Sequence, residues 1–328
     1  MVAQKTRVLF VLSLFLLGVA FEVNAQTINS VEPNFDLQQY SGGWSAGGNA
    51  TYMTRLNPAD VPIFVGGGGT TLSANELDFD FSPGYEAFIA TSFEGGGKIE
   101  FKFSSLENVS ASTSSFAGSS GDSIATSPPT PIFATPVLST LSLESEMISG
   151  EFNMHIPLGL STDWTLGFRW MEYDEMMIWN RPVSPPVTIS TDVDNYMYGI
   201  QTGLDVLLTA DDISEISIYG KGGAYLNRAD QNSRIAVRGI APVTFSGRSV
   251  DTDVAAVVDF GIKGKLYITG NIALNYGYTG LYMAGVALAP DQLGTHTSVL
   301  PFPGFVSSRV DTSSAFYHGG FLGISFNN

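Results

Sequence analysis

The chain has no cysteine in its 328 residues. Disulfides, thiolate metal sites and a lipid-modified cysteine are therefore excluded. Histidine is scarce: His155, His296 and His318 stand far apart, without the H-x-x-x-H or H-x-x-E-H spacing of a zinc site. Charged residues make up only 14 %, and their balance is acidic, with a formal net charge of −16. That balance argues against nucleic acid, whose phosphates demand a basic face. No G-x-S-x-G elbow and no phosphate-cradling G-x-x-x-x-G-K-[ST] loop occurs, since Gly66–Gly69 lacks the Lys-Ser/Thr that would follow. Long hydrophobic runs are also missing. After the N-terminus no segment holds the roughly 18 apolar residues of a membrane helix, although 44 % of the chain is hydrophobic. Apolar composition without apolar runs has to be spread by alternation.

Asp251–Ala289 shows that alternation. Val254, Ala256, Val258, Phe260, Ile262, Leu266 and Ile268 hold even positions, while Asp251, Asp253, Asp259, Lys263 and Lys265 hold odd ones. After the turn Thr269-Gly270-Asn271, Ile272, Leu274, Tyr276 and Tyr278 resume the even face. Side chains of a strand alternate with period two, so this is a hairpin with one apolar and one polar face. Its arms run to roughly 17 residues, against a usual strand of about 5–6. Long two-faced arms suit a membrane-spanning β-barrel, lipid outside and a polar lumen within.

The rest of the chain fits this expectation. Lys5 and Arg7, the apolar Val8–Phe21 and the small-residue Val23-Asn24-Ala25 read as a cleaved signal peptide, 1–25, with Gln26 as the first mature residue. Residues 26–42 form a polar periplasmic lead-in, and the barrel occupies 43–328. Ten strands are expected: Gly43–Arg55, Tyr85–Phe93, Lys98–Ser105, Ser139–Ile156, Trp164–Trp179, Val187–Leu208, Glu215–Asn227, the two hairpin arms and Ser314–Phe326. Twelve is the alternative, if Leu77–Phe81 and Ile235–Phe245 also pair within the wall. Strand four changes face from Leu141/Leu143 to Ile148/Phe152/Met154, which predicts a bulge near Glu144–Met147. Connections after odd strands are long, including Leu56–Gly69, Asn108–Pro136, Arg228–Ser249 and Leu288–Thr312. Those after even strands are short. This is the all-β, antiparallel pattern of outer-membrane barrels, with both termini on the periplasmic side.

Several stretches also resemble a known family. Gly167-Phe168-Arg169-Trp170 with Tyr173-Asp174-Glu175, Asn195–Gly203, Gly220–Asn227 and Val286–Leu293 are similar, in order, to strands of the Legionella-type major outer membrane protein family and its planctomycete relatives. The resemblance covers roughly residues 140–328. It implies a porin-like outer-membrane barrel and brings no catalytic residues. Phe316, Phe321, Leu322, Ile324 and Phe326 resemble the C-terminal strand signal read by the barrel-assembly machinery, here followed by Asn327 and Asn328.

The candidate site is the lumen. Arg169, Glu175, Asp205, Lys221, Asp259, Lys263 and Lys265 share inward parity. Clear aqueous channels appear nearer 16 strands than eight, so a ten-stranded lumen is expected to be filled. These charges are then expected to pair across it, with Arg169 and Lys221 as cationic members. His318 is expected at the lumen or the interface, and Asp78, Asp80, Asp174 and Asp192 in solvated acidic loops. No catalytic residue, metal or cofactor is expected. The partners expected are outer-membrane lipid, the assembly machinery and small solutes. The function expected is a porin-like barrel with a narrow or plugged lumen; a structural or adhesive surface barrel working through its loops is the alternative, with a surface hydrolase third.

Overall fold

The computed structural model describes residues 43–328 except 59, 66–70, 94–95, 118–122, 125–129, 132–136, 183–185, 239–242, 298–305 and 308–309. The signal peptide and lead-in lie outside the described residues. Ten strands close into an antiparallel barrel. They are β1 Trp44–Arg55, β2 Ser82–Ser92, β3 Lys98–Ala117, β4 Val137–Pro157, β5 Thr162–Arg181, β6 Val187–Ala210, β7 Ser214–Val237, β8 Val243–Thr269, β9 Ile272–Ala287 and β10 Thr312–Asn327. Each pairs with its sequence neighbour, and β1 closes on β10 from Ser45↔Asn327 to Arg55↔Tyr317. Within the closed ring no strand edge is left, so its backbone donors and acceptors are used within it, while β8 before Ala256 pairs with β7 alone.

The alternation sets the two faces. Outward positions carry exposed apolar side chains, among them Trp164, Leu166 and Phe168 on β5, Tyr198 and Ile200 on β6, and Phe260, Ile262 and Leu266 on β8. Inward positions are buried, including Val257 and Ala273. The wall is uneven in height. β8 runs 27 residues, whereas β1 runs 12 and β2 runs 11.

Four local expectations are corrected. Arg228–Ser249 is not a loop: β7 and β8 stay paired up to Val237↔Val243, and Ile235↔Phe245 belongs to this same hairpin. There the outward face turns polar, with Arg228, Asp230, Asn232 and Arg234, and the inward face mixes Ala229 and Ile235 with Gln231 and Ser233, which erases the hydropathy alternation but not the backbone pairing. Asn108–Pro136 likewise gives its first part to β3 and its neighbour Val137 opens β4. The bulge is not in β4, whose pairing with β5 is continuous from Thr140↔Asn180 to Pro157↔Asp163. It lies opposite, in β3 between Leu106 and Val109, where Asn108 takes φ 56°. Leu141 and Leu143 keep their parity and point inward, because the lumen at that height is apolar. Finally, Leu77–Phe81 is not a wall strand, and Leu77 and Phe79 are buried beneath the wall's loop end.

Candidate functional site

Strands from both sides of the barrel aim charged side chains at one point in the lumen. Glu151 on β4 is the hub, its side chain 1 % exposed. Lys221 on β7 lies 2.5 Å from it, Lys102 on β3 3.3 Å and Arg169 on β5 3.8 Å. Asp259 on β8 faces Lys221 at 3.3 Å and Arg169 at 3.8 Å, and Glu86 on β2 takes Lys102 at 3.1 Å. The cations Lys102, Arg169 and Lys221 thus meet the anions Glu86, Glu151 and Asp259 in equal number. Neutral groups fill the gaps. Gln201 Nε2 donates to Glu151 and to Asn153 Oδ1, each at 2.7 Å, while Gln201 Oε1 accepts from Tyr225 Oη at 3.1 Å. Arg169 Nε donates to Ser149 Oγ at 2.8 Å, and Tyr219 Oη donates to Asp259 at 3.1 Å. A buried charge is tolerated when it is paired and its remaining sites are hydrogen-bonded, as here.

Toward the loop end the lumen becomes apolar. Leu141, Leu143, Met171, Met177, Val193, Met197 and Met283 are each fully buried inside the barrel. Two connecting segments fold inward and complete this layer. One brings Leu72, Leu77 and Phe79; the other brings Leu288, Ala289 and Leu293. The second segment is pinned by polar side chains from the wall. Asn195 accepts from Ala287 N at 2.8 Å and donates to Ala287 O at 2.9 Å. Asn227 donates to Gly285 O at 3.1 Å, and Gly285 takes φ 76°, a left-handed conformation that suits glycine. Glu175 accepts from Ala289 N at 2.9 Å and from Tyr173 Oη, and it pairs with Arg55, whose guanidinium stands over the Phe79 ring. In the segment itself, burial followed by the nearby Glu175 pushes the Asp291 carboxyl up to about 6.

Toward the turn end the lumen opens into a vestibule of about 1330 Å³. Lys263 pairs with Asp205, and Lys98 with Glu100 at 3.2 Å. Lys265 lies across from Glu215 in the β7–β8 register, but Glu215 accepts instead from Tyr267 Oη at 2.6 Å. His155 also lines this space.

The seven residues read from the sequence therefore separate into three levels. Arg169, Lys221 and Asp259 meet in the central network. Glu175 stands above it, holding the inward-folded segment. Asp205, Lys263 and Lys265 stand below, around the vestibule. Sequence reasoning missed Glu151, Lys102, Glu86 and Arg55. Lys102 and Arg55 stand at inward positions of β3 and β1, so strand parity was the available signal. Glu151 was equally legible as the lone carboxylate on the inward parity of its strand. His318 is on the outward wall. Asp78 and Asp80 are exposed near the loop end, while Asp174 and Asp192 lie on the outward wall. Among the described residues no group of three or more His, Asp and Glu side chains is placed to hold a metal ion.

No protein-family model and no curated protein matches the sequence. Solved structures do show a likeness. The outer membrane protease OmpT from Escherichia coli aligns over 88 % of this chain and 96 % of its own, with 10 % identity and a TM-score of 0.46. The translocator domain of the autotransporter NalP from Neisseria meningitidis aligns over 87 % and 88 %, with 10 % identity and a TM-score of 0.42. The attachment invasion locus protein Ail of Yersinia pestis aligns over 88 % and 99 %, with 9 % identity and a TM-score of 0.28. At such scores none of these likenesses bears on what the lumen does.

Proposed function

We propose that this chain is a porin-like outer-membrane barrel whose lumen is plugged at rest, with the closed loop end outside and the vestibule facing the periplasm. The observation that carries this is the Glu151 hub: one carboxylate is reached by cations from three strands, so the charges span the lumen rather than line an open bore. The apolar layer above it is a second barrier, since water and ions have no polar path through packed Leu and Met side chains. The outward belt of Trp, Phe, Leu and Ile supports placement in lipid, and the short turns at one end support the periplasmic side. The sequence resemblance to the Legionella-type family agrees with this reading, which takes residues 1–25 as the export signal and β10 as the strand read by the assembly machinery. Small solutes that reach the vestibule are its candidate ligands or cargo.

The test is conductance in planar bilayers. The wild-type chain is expected to insert without steady channels, and Glu151→Gln to add flickering leaks as its three cations lose their shared anion. Large, stable wild-type channels would show an open pore and end the plug reading. A second reading, a surface barrel acting through its projections, is favoured by the hairpins β5–β6 and β7–β8, which stay paired well above the aromatic belt. It predicts that Glu151→Gln leaves the biological role intact even where it leaks.

A further inference from the structure

The outward wall has one feature that a plain hydrocarbon belt does not need. Between β8, β9 and β10 lies a groove of about 310 Å³, walled by Phe260, Ile262, Tyr278, Phe316 and His318. Its floor is Gly280, where a Cβ would stand 2.8 Å from the Phe260 ring. Phe260 and Phe316 stack at 6.1 Å and 14°, forming one side. His318 forms the other. Its ring lies 5.7 Å from that of Phe316 and 6.0 Å from that of Tyr278, and Phe81 meets it edge-on at 6.3 Å. The imidazole is held in place by Nδ1···Tyr278 Oη, 2.6 Å.

An imidazole set among aromatic rings on a lipid-facing wall is costly unless it has a partner. In a neutral imidazole one nitrogen donates and the other accepts. The 2.6 Å contact is compatible with either tautomer; the one in which the Tyr278 phenol donates to Nδ1 leaves the proton on Nε2. Among the described residues no protein group takes up that donor. The groove therefore combines a carbon-lined trough with one hydrogen-bond donor at its edge. An acyl chain joined to an ester has the matching chemistry: hydrocarbon for the trough, a carbonyl oxygen for Nε2.

We infer that this groove seats one acyl chain of a glycerophospholipid, with its ester carbonyl accepting a hydrogen bond from His318. The inference rests on the reading that this wall faces lipid. Its occupant follows from that position, since the surrounding medium supplies acyl chains at high concentration, and from the polar group at the rim.

The full chain is refolded into phosphatidylglycerol vesicles, extracted into detergent and weighed by native mass spectrometry. Wild type is expected to retain one phospholipid per barrel. Gly280→Leu, which fills the trough, is expected to lose it. His318→Phe keeps the ring packing and should lower retention by about tenfold, the loss of one hydrogen bond. A second arm uses dialkyl ether phosphatidylglycerol, which has no ester carbonyl. Wild type should retain it about tenfold less than the ester lipid, and His318→Phe should not distinguish the two. Equal retention by all three proteins, equal retention of both lipids by wild type, or no retained lipid would overturn the inference. Vesicle flotation and heat-dependent gel mobility report insertion separately. A chain that inserts but keeps no lipid sinks this inference alone, whereas one that fails to insert sinks the membrane reading with it.

Discussion

The two halves of the lumen are built from the same strands but filled by different chemistry. On β4, Leu141 and Leu143 point into the loop-end half, and Glu151 and Asn153 into the turn-end half. On β5 the change falls between Met171 and Arg169. The upper half is closed mainly by apolar packing, with the buried Arg55–Glu175 pair pinning the inward-folded segment. The lower half closes at the Glu151 network and then opens into a wet vestibule. A polar lumen is thus no property of the barrel as a whole. Where loops fold inward and exclude water, the inward parity takes Leu and Met; where water enters from the turn end, it takes Lys, Asp and Glu.

Removing the hub should do the most damage. Glu151→Ala leaves Lys102, Arg169 and Lys221 short of an anion, and breaking such a buried pair costs about 3–5 kcal/mol. Denaturant titration of the lipid-inserted protein measures it, and a loss within experimental error would mean that water already solvates the network. Leu143→Ala in the apolar half should cost about 2–5 kcal/mol through a cavity that cannot collapse. The same experiment on Asn153→Ala, at the head of the vestibule, should cost less, because water can refill the space.

The outward belt gives the next comparison. Phe168→Arg should cost about 2–4 kcal/mol if its side chain lies near the bilayer midplane. Equal destabilisation by arginine at inward and outward positions would refute the two-faced wall.

The inward-folded segment should respond to pH. The Asp291 carboxyl sits at about 6 when docked, above its ordinary value of 3.8. A raised acid binds its proton more tightly in the docked state, so docking is stronger below about pH 4 and weakens as pH rises through 6. At about 1.4 kcal/mol for each pKa unit, the effect is on the order of 2–3 kcal/mol. The protection factor of the Ala289 amide, its exchange rate divided into the intrinsic rate at the same pH, should rise on acidification, and Asp291→Asn should flatten that dependence. Lower protection in acid would reverse the sign and reject this account. Smallest of all should be Lys265→Gln. Lys265 lines the open vestibule and, among the described residues, forms no salt bridge, so less than about 0.5 kcal/mol is expected in thermal unfolding.

Much of the wall was legible from the sequence. Period-two alternation in Val254–Ile268 and Ile272–Tyr278 placed the strands, the faces and the tight turn between them, because a pleated strand under lipid on one side leaves no freedom in which positions are apolar. The same signal failed at Arg228–Ser249. Above the belt neither face of the hairpin meets lipid, so the pairing continues while the hydropathy pattern stops. It misled at Leu141 and Leu143, where apolar side chains face inward because folded segments, not water, fill the lumen beside them.

The sequence by itself determined an antiparallel wall with one apolar and one charged face, since that choice is local and repeats every second residue. Only the tertiary structure decided which charges meet. Glu151, Lys102, Lys221 and Arg169 come together through closure of β1 on β10 and the stagger of the strands around the lumen, both set by long-range pairing that no local pattern encodes. The same holds for Glu175, whose partner Arg55 and whose bound amide at Ala289 lie far away in the chain and are neighbours only because the barrel is closed.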